Sequence, residues 1–208
     1  MDTWSALVVG FGLGLRHASD ADHVAVVSSL IQRSPSLLTA ARIATLWGLG
    51  HTLTFLCLGL SLICLDLRVP PRFEQLTEIL VALMLLVFGA WHLLSHAEAA
   101  RAPSQGGGLG RWSAVRPILV GLVHGLAGSA GIALVASTTI SEKQWAVAYL
   151  VLYGAGTIAG MVLLTVLIAP PLLWTQRAPM WQRGLSTLAA LLNLGLGATF
   201  LLVALRRT

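Results

Sequence analysis

The feature that most constrains the fold of this chain is a series of apolar runs, each long enough to cross a lipid bilayer. Six such runs recur along 208 residues, of which 56% are hydrophobic and 10% are charged. The hydrocarbon core of a bilayer, about 30 Å thick, needs about 20 apolar residues in helical form, whereas about 25% of a soluble domain is charged. The sequence therefore predicts an all-α membrane protein with six transmembrane helices.

We expect these helices to be separated by the polar and turn-forming stretches of the chain. A stretch rich in Gly, Ala, Ser and Arg, residues 98–113, is typical of a linker loop. It separates a first three-helix repeat, residues 1–97, from a second, residues 114–208. The predicted transmembrane segments are residues 4–31, 37–64, 76–95, 115–139, 144–169 and 185–205.

The two halves of the chain resemble each other in their opening helices. The first contains GLRHASDADHV and the second GLVHGLAGSAGIA, which share the pattern G-L-x-H. The next helix carries WGLGHTLTF in the first half and YGAGTIAGM in the second. Three helices per repeat is an odd number, so the second copy must be inverted in the membrane. We therefore predict two inverted repeats, an arrangement that places substrate sites near the membrane midplane.

The basic residues predict the orientation of the chain, because cytoplasmic loops carry an excess of Lys and Arg. With the N-terminus outside, seven basic residues face inward and five face outward. We therefore expect a protein of the bacterial inner (cytoplasmic) membrane whose N- and C-termini both lie outside the cytoplasm. The inward set is Arg33, Arg42, Arg101, Arg111, Arg116, Arg177 and Arg183, and the outward set is Arg68, Arg72, Lys143, Arg206 and Arg207.

One apolar segment contains a dense cluster of ionisable residues, in the nonapeptide RHASDADHV. Charged groups inside a membrane cost several kcal/mol each unless they are paired, hydrated or bound to an ion. Imidazole and carboxylate together suit divalent transition metals such as Ni, Co, Zn, Fe or Mn. The cluster therefore predicts a metal site or ion pathway. Its members are Arg16, His17, Asp20, Asp22 and His23.

The spacing of these residues does not fit one face of a regular helix. His17 and His23 would point about 240° apart around the axis, so they could not both face one ion. Two glycines in the preceding FGLGL permit a kink, and we expect the helix to be bent or unwound around Gly12–Asp22. Arg16 and Asp20, four residues apart, either neutralise each other as charge partners or leave Asp20 to attract the ion.

Further histidines are candidate ligands in other helices. His51, in WGLGHTLTF of the second helix, is the best additional candidate. His124, in GLVHGLAGSA, is its counterpart in the second half and is either a ligand or an interhelix hydrogen-bond donor. His92 and His96, near the end of the third helix, either contact the ion or lie at the membrane interface.

RHASDADHV resembles the signature RHAxDADH of the nickel/cobalt transporter (NiCoT) family, and WGLGHTLTF is similar to that family's second motif. The short chain and its RPILVGLVHGLAGSAGIAL look like the compact UreH-type nickel permeases or urease accessory membrane proteins. Larger NiCoT members usually have eight segments, one of them before the signature helix. The resemblance implies that Ni²⁺ or Co²⁺ is bound by His17, Asp22, His23 and, less directly, Asp20 and His51.

We therefore expect an integral-membrane transporter for the uptake of Ni²⁺, with Co²⁺ as a further candidate, and not an enzyme. The expected metal ligands are His17, Asp22, His23 and His51, and Asp20 and His124 are candidates for either a ligand or a pathway role. The metal is a transported substrate and not a cofactor, and the other partner is the lipid bilayer, without nucleic acid. The alternatives are a Ni/Co efflux permease and a non-transporting accessory protein for urease or hydrogenase maturation. Homo-oligomerisation stays open.

Overall fold

All regular elements in the described part of the chain are helices, which confirms the prediction of an all-α protein. The computed structural model describes residues 3–32, 34–65, 70–99, 111–126, 131, 140, 142–175 and 178–206. The helices are α1 (Thr3–His17), α2 (Ala21–Ile31), α3 (Leu37–Cys64), α4 (Pro71–Ala99), α5 (Arg111–His124), α6 (Lys143–Thr175) and α7 (Pro179–Arg206).

Four of these helices are long and apolar enough to cross a membrane. Many large apolar side chains on their outer surfaces are exposed, as are Trp4, Trp174 and Trp181 near helix ends. An apolar exterior with aromatic residues at the helix ends is typical of a protein surrounded by lipid. The protein is therefore a multi-pass membrane protein. The four spans are Leu37–Cys64, Arg72–Leu94, Lys143–Thr175 and Met180–Arg206, and the shorter apolar helices are Ala21–Ile31 and Ala114–His124.

The first predicted segment, residues 4–31, is two helices and not one. α1 ends at His17 and α2 begins at Ala21. Between them, the amide of Ser19 donates to the Arg16 carbonyl and the amide of Asp20 to the His17 carbonyl, in tight i to i+3 turns. Asp20 then has an extended backbone, with φ −62° and ψ 149°. The interruption that the ligand spacing predicted is confirmed, and it lies directly after His17.

The fourth predicted segment also differs from a single continuous helix in its described part. α5 begins at Arg111, before the predicted start at residue 115, and ends at His124. The rest of that segment, residues 127–130 and 132–139, lies outside the described residues, as do residues 100–110 of the predicted linker. α1 and α5 thus both end at the histidine of the shared G-L-x-H pattern.

The later helices extend beyond the predicted segments. α4, α6 and α7 each begin before and end after the expected bounds. α6 continues through Pro170 and Pro171, although a proline removes one helical hydrogen bond. Membrane helices tolerate such prolines where neighbouring groups satisfy the freed carbonyl. The hydropathy pattern identifies only the apolar part of these helices, and each helix continues beyond that part at both ends.

Glycines bring the helices of the two halves into backbone contact. A Cβ atom built on Gly14 of α1 would collide with the carbonyl oxygen of Tyr153 in α6. A Cβ atom built on Gly121 of α5 would collide in the same way with the carbonyl oxygen of Trp47 in α3. Small residues permit such close packing between membrane helices, where no hydrophobic driving force exists. The two glycines hold the same position in G-L-x-H, and their partners begin the matching WGLG and YGAG stretches.

α4 and α7 make a matching contact of their own. A Cβ atom on Gly89 of α4 would lie 2.8 Å from the carbonyl oxygen of Ala190 in α7. A Cβ atom on Gly197 of α7 would lie 2.8 Å from the carbonyl oxygen of Ala82 in α4. Residue numbers therefore rise along one helix as they fall along the other, and α4 and α7 run antiparallel.

The other two helix pairs run parallel. Along α1 and α6, Phe11 packs on Gly156 and Leu15 packs on Gly160. α5 packs on α3 in the same sense, whereas α3 and α6 run antiparallel, because Gly48 contacts Ile158 while Gly154 contacts Thr52. α1 thus packs on α6, and α5 packs on α3.

Replacing Gly14 by alanine should destabilise the fold, because the new methyl group would collide with the backbone of α6. Overpacking of this kind costs about 1–3 kcal/mol. We expect a lower unfolding temperature for the purified protein in detergent, followed by tryptophan fluorescence. Gly12→Ala on the same helix is the matched control, since nothing lies within 4 Å of a Cβ built there. Equal unfolding temperatures for the two variants would contradict the packing argument.

Candidate metal centre

Four imidazoles and one carboxylate meet where α1, α2, α3 and α5 converge. His17 and His124 are the last residues of α1 and α5, and Asp22 and His23 lie in the first turn of α2. His51 comes from the middle of α3. None of the five is more than 7% exposed. We call this set the histidine centre: it consists of His17, Asp22, His23, His51 and His124.

The imidazoles of the histidine centre are in direct contact with one another. The ring centroid of His23 lies 4.5 Å from that of His17, 5.2 Å from that of His51 and 4.4 Å from that of His124. The Nε2 atoms of His17 and His51 are 3.2 Å apart. Nitrogen atoms at this separation either share one proton or turn towards a common ligand.

Asp22 joins two of these histidines. Its Oδ1 lies 3.1 Å from Nδ1 of His23 and accepts a hydrogen bond from the His23 amide at 3.0 Å. Its Oδ2 lies 2.9 Å from Nε2 of His124. A carboxylate placed between imidazoles fixes their ring orientations, as carboxylates do around bound metals. α2 and α5 therefore meet at this one side chain.

Two overlapping triads in the centre have the geometry of a metal site. The first is His17, His23 and His51, and the second is Asp22, His23 and His124; within each, the ligand atoms lie within 4.8 Å of one another. His23 belongs to both. Nε2 of His23, Nδ1 of His51 and Nδ1 of His124 are buried without a hydrogen-bond partner among the described groups. Buried imidazole nitrogens without a partner are available as ligands.

Asp20 contacts His17 and not Arg16. Its Oδ2 lies 2.9 Å from Nδ1 of His17, and its side chain is 36% exposed. Arg16 is exposed, and none of the ion pairs between described residues joins it to Asp20. The helix ends at His17, so positions 16 and 20 lose the i, i+4 geometry that would have paired them. Asp20 instead orients the imidazole of His17.

His92 does not belong to the histidine centre. Its imidazole contacts Oε1 of Gln32 at the end of α2, in a separate polar cluster. The side chain of His96 lies outside the described part of the structure. His92 is therefore buried, but against Gln32 and not in the histidine centre.

Two aromatic side chains form the walls of the histidine centre. The ring of Trp47 lies 5.4 Å from that of His23 and 5.7 Å from that of His124. The ring of Tyr153 stacks on that of His17 at 5.9 Å. Sequence reasoning used these residues only as part of the repeated pattern. The available signal was an aromatic residue at the same place in both glycine-rich stretches.

The histidine centre lies at half the length of α3, because His51 is at the middle of that 28-residue helix. At about 1.5 Å per residue, His51 is about 20 Å from either end of the helix. The interruption after His17 likewise divides the first segment into two shorter helices. Ionisable groups are therefore concentrated near the middle of the apolar helix α3.

Comparison with known proteins identifies the family of this chain. The chain is 33% identical over 181 residues to the urease accessory protein UreH of Bacillus sp. (strain TB-90), an alignment that covers 82% of this chain and 79% of the relative. No protein-family model matches the chain, and no solved structure does. The relative is named as an accessory protein and not as the urease, in agreement with the prediction of a protein that is not an enzyme. The chain belongs to the UreH family, as the resemblance of its short length and RPILVGLVHGLAGSAGIAL to UreH-type proteins predicted.

Proposed function

We propose that this protein carries a divalent transition-metal ion, Ni²⁺ first and Co²⁺ as a further substrate, into the cell across the bacterial inner membrane. The observation that carries the proposal is the convergence of the five side chains of the histidine centre at half-depth in an otherwise apolar protein. Buried ionisable groups in a membrane are costly and mark ion pathways by default. A bound cation offsets the charge of Asp22 and uses the imidazole nitrogens without partners.

The ligand types favour borderline divalent ions, Ni²⁺ and Co²⁺ among them, over Cu(I) and Mg²⁺. Imidazole nitrogen with carboxylate oxygen suits borderline divalent ions, whereas thiolates select Cu(I). Both cysteines, Cys57 and Cys64, are exposed, and neither is part of the two triads found among the described residues. Mg²⁺ prefers an all-oxygen shell and keeps its waters, which a pocket of four imidazoles does not provide.

The proposed architecture is a pair of inverted repeats, residues 1–97 and 114–208, joined by the linker 98–113. If six spans alternate in direction, the first span (α1) runs parallel to the fifth (α6), and the second (α3) runs parallel to the fourth (α5). The third span (α4) then runs antiparallel to the sixth (α7). The directions of the three helix pairs agree with this pattern. The shared helix ends at His17 and His124 support it as well. The histidine centre then lies at the interface of the repeats, where transporters of this kind bind substrate.

The orientation that we propose has both termini outside, so that α2 ends on the cytoplasmic side. The slight excess of basic residues in the loops on that side supports it.

A second candidate function is an accessory role in urease maturation without transport. The name of the UreH relative favours it. In that case the histidine centre would bind metal, but the protein alone would not move it across a bilayer. The third candidate function is metal efflux. Transport of metal into empty vesicles, compared with release from metal-loaded vesicles, distinguishes the two directions.

Purified protein in liposomes should take up Ni²⁺ in a saturable manner, with competition from Co²⁺ but not from Mg²⁺. His51→Ala should lower the uptake rate at least about 10-fold, since it removes a ligand of the first triad. Radioactive nickel trapped in the vesicles measures the rate. Ser28→Ala is the control on α2, because the hydrogen bond of its hydroxyl goes to the Val24 carbonyl of its own helix. Binding of Ni²⁺ without any uptake would favour the accessory role.

Ni²⁺ affinity should fall most in His23→Ala, because His23 belongs to both triads. His17→Ala and His124→Ala each leave one triad intact and should have smaller effects. We expect a loss of at least about 10-fold for His23→Ala in equilibrium dialysis of the detergent-purified protein. Parental affinity in this variant would place the bound ion outside the histidine centre.

Alkaline phosphatase fused behind Arg206 should be active, because the enzyme folds only outside the cytoplasm and α7 is proposed to end there. A fusion behind Ser36, between α2 and α3, should be inactive and is the matched control. The activity of each fusion in intact cells is the measurement. The opposite pair of activities would reverse the proposed orientation.

A further inference from the structure

A second buried polar cluster lies at the far end of α2 from the histidine centre. The imidazole of His92 in α4 and the hydroxyl of Ser186 in α7 both contact Oε1 of Gln32, the hydroxyl at 2.9 Å. The three residues are 9%, 0% and 5% exposed in that order. Three different elements therefore direct a nitrogen and two oxygens to one point.

Asn193 makes a further buried polar contact between this cluster and the histidine centre. Nδ2 of Asn193 in α7 donates to the Ala25 carbonyl at 3.1 Å and lies 3.0 Å from the Ser29 hydroxyl. Asn193 is fully buried, and its Oδ1 has no hydrogen-bond partner among the groups that the structure describes. An amide oxygen in this state is open to a cation or a water molecule.

These contacts follow one side of α2. Asp22, Ala25, Ser29 and Gln32 are spaced by three or four residues and so share a face of the helix, which we call the polar face of α2. Gln32 lies about 15 Å from Asp22 along the helix axis. Outside the histidine centre, the buried amide and imidazole side chains in the described ranges are Gln32, His92 and Asn193. All three lie on or against this short helix.

The other side of the histidine centre is mostly apolar. The ring of Tyr153 packs on His17 and, at 4.8 Å, on the ring of Phe55. The residues beyond belong to α1, α3 and α6 on the side where α1 begins. They form one buried cluster of Leu7, Phe55, Ile63, Ala146, Tyr149, Leu150 and Tyr153. Apart from the hydroxyls of Tyr149 and Tyr153, this cluster offers an ion no polar side chain, whereas the polar face of α2 carries several.

We propose that Gln32, His92 and Ser186 form a second, transient binding position for the transported metal ion, reached from the histidine centre along the polar face of α2. The inference rests on the proposed function, because it concerns the route of the same ion. A neutral set of one imidazole and two oxygens binds a divalent ion more weakly than the histidine centre. Conduction needs such weak successive positions, because an ion must be able to leave each one.

A purely structural role makes a different prediction for these residues. Interhelix hydrogen bonds in membranes contribute little individually, and any side chain that keeps the contact with Gln32 preserves them. His92→Gln keeps a donor that reaches Gln32 but lacks the imidazole nitrogen. If the cluster holds the ion, both His92→Ala and His92→Gln lower the maximal Ni²⁺ uptake rate in liposomes at least about 10-fold, while Ni²⁺ affinity in equilibrium dialysis stays parental. If it only joins helices, His92→Gln transports normally, which overturns the proposal.

Spectroscopy with Co²⁺ tests occupancy of the position itself. In a background with Cys57→Ser and Cys64→Ser, both at exposed positions, His92→Cys should give a thiolate-to-Co²⁺ charge-transfer band in the near ultraviolet. Thr77→Cys, on the same helix and also buried, is the matched control and should give none. Absence of the band at saturating Co²⁺ overturns the second position.

The outcomes separate this inference from the proposed function. Wild-type protein that binds and transports Ni²⁺, with unchanged rates in both His92 variants, removes the second position and leaves the histidine centre as the transport site. Wild-type protein that transports no metal in liposomes removes both.

Discussion

The structure depends on the interruption between α1 and α2, within an apolar segment where an unpaired backbone group costs free energy. Backbone groups in a bilayer must be satisfied within the protein, and the chain after His17 does so with two tight turns before α2 begins. The interruption turns His17 and His23 from opposite sides of one helix towards each other, with ring centroids 4.5 Å apart. Without it, the motif could not contribute both imidazoles to one site.

Close packing of the two halves completes the centre. Gly14 and Gly121 let the opening helix of each half approach the middle helix of the other until backbone touches backbone. The same approach brings His124 within hydrogen-bond distance of Asp22 and places Trp47 and Tyr153 against the imidazoles. The positions of the candidate ligands therefore depend on this packing, because a side chain at either glycine would move the helix that ends in His17 or His124.

The polar groups around the histidine centre are distributed asymmetrically. Aromatic and aliphatic residues seal the side where α1 begins, whereas α2 carries polar contacts to Gln32 at its far end. For the transport function proposed above, this arrangement would give the ion more polar partners on the α2 side than on the side where α1 begins. In the proposed function α2 would have two roles, since it would supply two ligands and the route that leads from them.

The sequence by itself determined the all-α membrane class, the candidate ligands His17, Asp22 and His23, and the expected interruption between them. These follow from local spacing, because hydropathy over about 20 residues and the angles between helix positions need no knowledge of other segments. Only the tertiary structure decided that Asp20 contacts His17 instead of Arg16, that His124 reaches Asp22, and that His92 lies with Gln32. Those contacts join elements up to 102 residues apart or depend on where a helix ends, and no local pattern encodes which helix faces pack together.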